Sequence, residues 1–174
     1  MDLLHEFYIQ PMHEVFLETV AVYILWTFAM VVLKARTKRI LSAVGLALSV
    51  TLILLLTVMG RGDVREICMI PFETFKNARL QPEFYRTMFM NMVLFLPFGL
   101  TLPFAIKGRT RTRILLTVAA GLLISAGVEA LQYIFCLGKC ETDDIIMNTL
   151  GVMIGASSYL AACAVLRREE WADL

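Results

Sequence analysis

Long apolar stretches separated by short charged ones set the pattern of this chain. Five runs stand out: Val15–Leu33, Ile40–Gly60, Thr87–Ile106, Ile114–Phe135 and Ile145–Leu166. Each is close to the ~20 residues a helix needs to cross a hydrocarbon core. Only Glu18 and Glu129 place a charge inside them. No series of short alternating strands of the kind a membrane β-barrel requires is visible. The pattern predicts an all-α, polytopic membrane helical bundle with five transmembrane helices. Residues 1–174 read as a single transmembrane domain, with a long loop at 61–86 and a short one at 136–144. No internal repeat or low-complexity segment divides it.

Composition agrees: 59% of the 174 residues are hydrophobic and only 18% are charged, too few charges for a soluble domain of this length. The N-terminus has Asp2, His5, Glu6 and Glu14 before any Lys or Arg, so it does not read as a cleaved signal, and the first run is expected to stay as a helix. Charge placement adds orientation. Lys34, Arg36, Lys38 and Arg39 lie between runs one and two. Lys107, Arg109, Arg111 and Arg113 lie between runs three and four, and Arg167 and Arg168 follow run five. Alternating spans put all of them on one side. The other side receives Arg61, Arg65, Lys76, Arg79, Arg86 and Lys139, mixed with acids. The positive-inside rule then predicts an outside N-terminus and a cytoplasmic C-terminus. The basic clusters are explained by topology and anionic lipid. Nucleic acid is not indicated as a partner.

Against this apolar background the polar residues are conspicuous. Glu129 and Gln132 share a face of the fourth helix, and Asp143, Asp144 and Asn148 open the fifth. An ionisable group at a membrane helix centre costs roughly 2.5–3.5 kcal/mol on insertion scales, so such residues are usually functional. At the α-helical rise Glu129 lies roughly 9 Å below the outer end of its helix, Asn148 roughly 6 Å below Asp144, and Asn91 roughly 7 Å below Arg86. Three helices thus bring polar groups to a similar depth in the outer part of the bilayer. The spacing leaves two roles open. Asp143 and Asp144 cap the fifth helix, with Asn91, Glu129, Gln132 and Asn148 bracing the bundle, or the cluster binds something.

Further chemistry depends on which groups meet. Glu129 is the candidate general acid/base. Asp143, Asp144 and Glu129 are candidate oxygen ligands for a divalent cation. Arg65, Lys139 and Arg61 are candidate phosphate partners. Cys68, Cys136 and Cys140 fall on the outer side, where Cys136–Cys140 or Cys68–Cys140 pairing competes with free thiols. Glu14 and Glu18 either join the cluster or face headgroups. Gly151 and Gly155 are a small-xxx-small pair that permits close backbone approach.

At these residues the chain resembles the VanZ-like family of bacterial membrane proteins. Asn-Met-Val-Leu-Phe-Leu-Pro-Phe-Gly (91–99) is similar to the family's third-helix motif. Glu129-x-x-Gln132 followed by Asp143-Asp144-x-x-x-Asn148-Thr-Leu-Gly151 is similar to its C-terminal signature, and Ile70-Pro71-Phe72 to its loop element. Lys139 stands where the family shows Arg, Glu141 where Asp is common, and Cys68 where it has Asn. Lys keeps the charge but not the bidentate fork. The resemblance implies a multi-pass protein of the bacterial cytoplasmic membrane that contributes to glycopeptide resistance of the teicoplanin kind. The expected site comprises Asn91, Glu129, Gln132, Lys139, Asp143, Asp144, Asn148 and Arg65. It would bind a lipid, an envelope precursor or a lipoglycopeptide at the outer leaflet. The competing readings are an intramembrane enzyme acting on a lipid-linked envelope precursor, with or without a divalent cation, and a small transporter or flippase. Confinement of the polar groups to one depth ranks transport third, and the lack of an obvious nucleophile favours binding.

Overall fold

The computed structural model describes residues 11–58, 64–73, 76 and 83–166. Among them are five long helices: α1 (Met12–Val32), α2 (Ala35–Val58), α3 (Glu83–Ala105), α4 (Thr110–Ile134) and α5 (Thr142–Leu166). All five are long and apolar enough to cross a membrane. Each begins a few residues before its apolar run, because hydrogen bonding continues into the polar first turn. The connections α1–α2 and α3–α4 are short and basic. We refer to their side of the bundle as the basic end.

The opposite end holds an element that hydropathy did not predict. Strand β1 (Val64–Cys68) pairs in parallel with strand β2 (Leu137–Glu141), in the register Glu66↔Lys139, Ile67↔Cys140 and Cys68↔Glu141. The strands are too short and too distant in sequence to show a period, and each leans on a helix: β2 runs directly into α5. We call this the strand end.

α3 is the most buried helix and α1 the least. The reason lies at its interface with α5. A Cβ on Gly151 would collide with the carbonyl of Met92, one on Gly155 with the carbonyl of Leu96, and one on Gly99 with the carbonyl of Val152. The glycine pair of α5 therefore packs backbone to backbone on α3. Its partner is not the sequence neighbour α4, against which α5 places Val152 over Gly121. Small residues are what dispersion-driven packing needs in lipid, where helix association gains little from the hydrophobic effect.

α3 also contains Pro97 and Pro103, each of which removes an N–H donor. Polar side chains take up carbonyls of this segment. The Thr101 hydroxyl donates to Pro97 O (2.9 Å), and the Trp26 indole donates from α1 to Leu100 O (2.9 Å). The bundle core has two parts: Ile53, Phe95, Phe98, Val128 and Val152 in the middle, and Met30, Phe104, Tyr159 and Ala162 toward the basic end. The outward faces carry exposed Leu, Val, Ile and Phe, as lipid-facing surfaces do.

Candidate functional site at the strand end

Glu129 of α4 and Asp143 of α5 sit where these helices approach the β ribbon and the loop after it. Glu129 is only 2% exposed. Its Oε2 accepts the backbone N–H of Glu141 (3.0 Å), the last residue of β2. Asp143 is equally buried, and its Oδ1 accepts the backbone N–H of Phe72 (2.5 Å) across the bundle end. Phe72 sits in the left-handed region (φ 64°). The carboxylate thus pins the turn made by Ile70-Pro71-Phe72, a conformation costly for a residue with a Cβ. This loop folds back by its backbone while Ile67, Met69, Ile70 and Phe72 keep their side chains exposed.

The amides occupy the next layer. The Gln132 Nε2 donates to Thr57 O (3.1 Å) in the last turn of α2, satisfying a carbonyl that has no helical partner there. The Asn148 Nδ2 donates to the Ser125 hydroxyl (2.9 Å) on α4. Three buried polar atoms of this layer have no hydrogen-bond partner among the described residues: Gln132 Oε1, Asn148 Oδ1 and Asn91 Nδ2. Gln132 and Asn148 are 1% and 3% exposed. An unmade hydrogen bond at a buried polar atom costs about 1–3 kcal/mol.

Other expected members lie differently. Lys139 is exposed and pairs with Glu66 (2.7 Å) across the strands, which raises its ammonium pKa further above neutrality. It therefore stands on the outside of the ribbon rather than in the amide layer. Arg65 contributes its backbone to β1 opposite Gly138; its side chain and the whole of Arg61 fall outside the described residues. Asp144 is part-buried in the first turn of α5. Glu14 and Glu18 are exposed on α1 and take no part. The three carboxylates considered for a divalent cation do not converge: no group of three or more His, Cys, Asp or Glu able to hold a metal forms among the described residues. The physical reason is visible for two of them, since Glu129 and Asp143 each turn an oxygen to a different backbone N–H.

The cysteines are free thiols. In the parallel register Cys140 pairs with Ile67 and Cys68 with Glu141, so the two sulfurs start from opposite faces of the ribbon. Cys68 instead donates to Glu73 (2.8 Å), and that bond, more than burial, raises its pKa. Cys140 is buried; desolvation first, then the nearby charges of Glu129 and Asp144, raise its pKa as well. A raised thiol pKa lowers the thiolate fraction at any given pH. Cys140 should therefore alkylate slowly near neutral pH and speed up only beyond the ordinary thiol range. Glu129→Gln should accelerate it. Labelling followed by peptide mass analysis tests this; equal rates in folded and SDS-denatured protein would contradict it.

Sequence reasoning missed Ser125 and Thr57 as partners. Ser125 lies one turn before Glu129 on the same helix face, a signal that was available. Thr57 acts through its carbonyl, which no sequence pattern reports.

Segments far apart in the chain thus converge here: the 70–72 turn on Asp143, the α3 backbone at Met92–Gly99 on Gly151 and Gly155, and Glu129 on the start of α5. The VanZ/LLP1 family model matches residues 20–165, which contain all of them. The chain belongs to the VanZ/LLP1 family. The Protein VanZ of Enterococcus faecium is 32% identical over 95 residues, covering 55% of this chain and 53% of that relative. The chain therefore aligns with about half the length of the curated relative it matches. No solved structure matches. As a VanZ-family member with five apolar helices, the protein is a multi-pass membrane protein.

Proposed function

We propose that this VanZ-family protein resides in the bacterial cytoplasmic membrane with its strand end facing outward, and contributes to resistance to lipoglycopeptides of the teicoplanin type. It would do so by binding a lipid or headgroup in the amide layer beneath the ribbon. One observation carries the reading: Asn91, Gln132 and Asn148, from three helices, leave buried polar atoms without hydrogen-bond partners among the described residues. Buried donor and acceptor atoms of this kind suit the hydroxyl and amide groups of a sugar or peptide. The engagement of Glu129 and Asp143 with backbone N–H groups supports binding over acid–base chemistry, because each has an oxygen committed to holding the fold.

The test is antibiotic susceptibility of cells carrying Glu129→Gln or Asp144→Asn at wild-type membrane abundance. Resistance should fall toward that of cells lacking the protein. Unchanged resistance in both would make the cluster a brace. Incubation of the purified wild type with labelled envelope lipids then separates binder from enzyme, since retention without a new product is the expected result.

A further inference from the structure

Arg113 does not behave as a topology-setting charge. Lys107, Arg109 and Arg111, its neighbours at the α3–α4 connection, are exposed, whereas Arg113 is 1% exposed. Its Nε donates to Gly108 O (2.7 Å) and its Nη1 to Pro103 O (3.3 Å), while the guanidinium lies 5.3 Å from the centre of the Tyr159 ring. These contacts hold its plane between α3, α4 and α5. All of them are neutral. Its Nη2 is buried with no hydrogen-bond partner among the described residues. Taking an ion out of water costs several kcal/mol even after relaxation, and neutral carbonyls do not return its charge.

More donors gather at the same place. Thr110 opens α4, whose N-terminus carries no side-chain cap, and its hydroxyl meets the Tyr159 hydroxyl and the Cys163 thiol of α5. Lys38, in the first turn of α2 and 7% exposed, is within electrostatic range of Cys163, as Arg113 is. A buried guanidinium, two hydroxyls and an uncapped helix N-terminus therefore meet between α4 and α5, with a second buried cation in electrostatic range. A brace for the α3–α4 connection needs only the Nε and Nη1 of Arg113. It does not account for the bare Nη2.

We propose that this cluster at the basic end is a phosphate-binding site, occupied by the phosphate of a membrane lipid in the adjoining leaflet or by free phosphate. Arg113 supplies a fixed donor from Nη2, and the first turn of α4 its N–H groups, with the Lys38 ammonium adding positive charge. The site is separate from the amide layer and independent of the function proposed for it.

The test uses the full chain, purified in detergent and delipidated. Native mass spectrometry would compare retention of phosphatidylglycerol with that of a phosphate-free galactosyl diglyceride, and a thermal-unfolding series would titrate inorganic phosphate. Wild-type protein should retain phosphatidylglycerol preferentially, or be stabilised by inorganic phosphate alone if the free ion is the occupant. Arg113→Gln and Lys38→Gln should each weaken that response by about tenfold or more, ~1.4 kcal/mol. Should Arg113→Gln fail to fold, Lys38→Gln and Thr110→Ala decide. Equal retention of both lipids with no effect of inorganic phosphate overturns the proposal. So does a wild-type response in the folded variants.

Discussion

Gly151→Ala and Gly155→Ala should each destabilise the protein by about 3 kcal/mol, at or above the top of the usual range for overpacking. The obstacle decides the size. Each new methyl would overlap a backbone carbonyl of α3, at Met92 and at Leu96, and a carbonyl inside a hydrogen-bonded helix cannot swing aside as a side-chain tip can. Relief requires α3 and α5 to separate along their length, which loosens the contact of Gly99 with Val152 as well. Gly127 provides the control, since nothing lies within 4 Å of a Cβ built there. Gly127→Ala should be neutral or stabilising, because an exposed helical Gly costs roughly 1 kcal/mol relative to Ala. Unfolding in detergent titrated with SDS measures all three. A penalty at positions 151 and 155 no greater than at 127 would refute the backbone-to-backbone packing. The same variants should also perturb the amide layer, since Asn148 lies one turn from Gly151.

Asp143→Ala should release the 70–72 turn. A hydrogen bond to a charged group contributes about 1.5–3 kcal/mol net, and here it also holds Phe72 in the left-handed region. Amide exchange at Phe72 should accelerate, while the middle of α3 keeps its protection. Asp143→Asn retains an acceptor oxygen and should keep part of the effect. Resistance should fall with Asp143→Ala if the turn closes the polar layer. Unchanged exchange at Phe72 would mean that the contact does not hold the loop. The two perturbations are complementary: the glycines test how the helices approach, and Asp143 tests how the loop is fastened over them.

The helical part of this architecture was legible in the chain. Hydropathy and the length needed to span a bilayer are local properties, so five apolar runs became five helices with small shifts at their ends. Helical rise placed Asn91, Glu129 and Asn148 at similar depth; in the structure Asn91, Gln132 and Asn148 each keep a buried polar atom without a hydrogen-bond partner among the described residues. The VanZ-like motifs pointed to the segments that meet. The Lys139 pair with Glu66 was hidden, because sequence shows a charge but not which strand lies beside it. The ribbon itself was hidden, since strands of five residues pairing across some seventy positions carry no periodicity of their own.

The sequence by itself determined the spans, the small-xxx-small seam and the placement of ionisable groups near one end. Those follow from residue type and helical period alone. Only the tertiary structure decided that the glycines of α5 face α3 rather than α4, that Glu129 and Asp143 bind backbone N–H groups rather than a shared cation, and that Arg113 is buried while its basic neighbours are exposed. Each of these depends on which surfaces fit at contact distance and on the direction of a single hydrogen bond. Both are set by residues far apart in the chain, so no local pattern could report them.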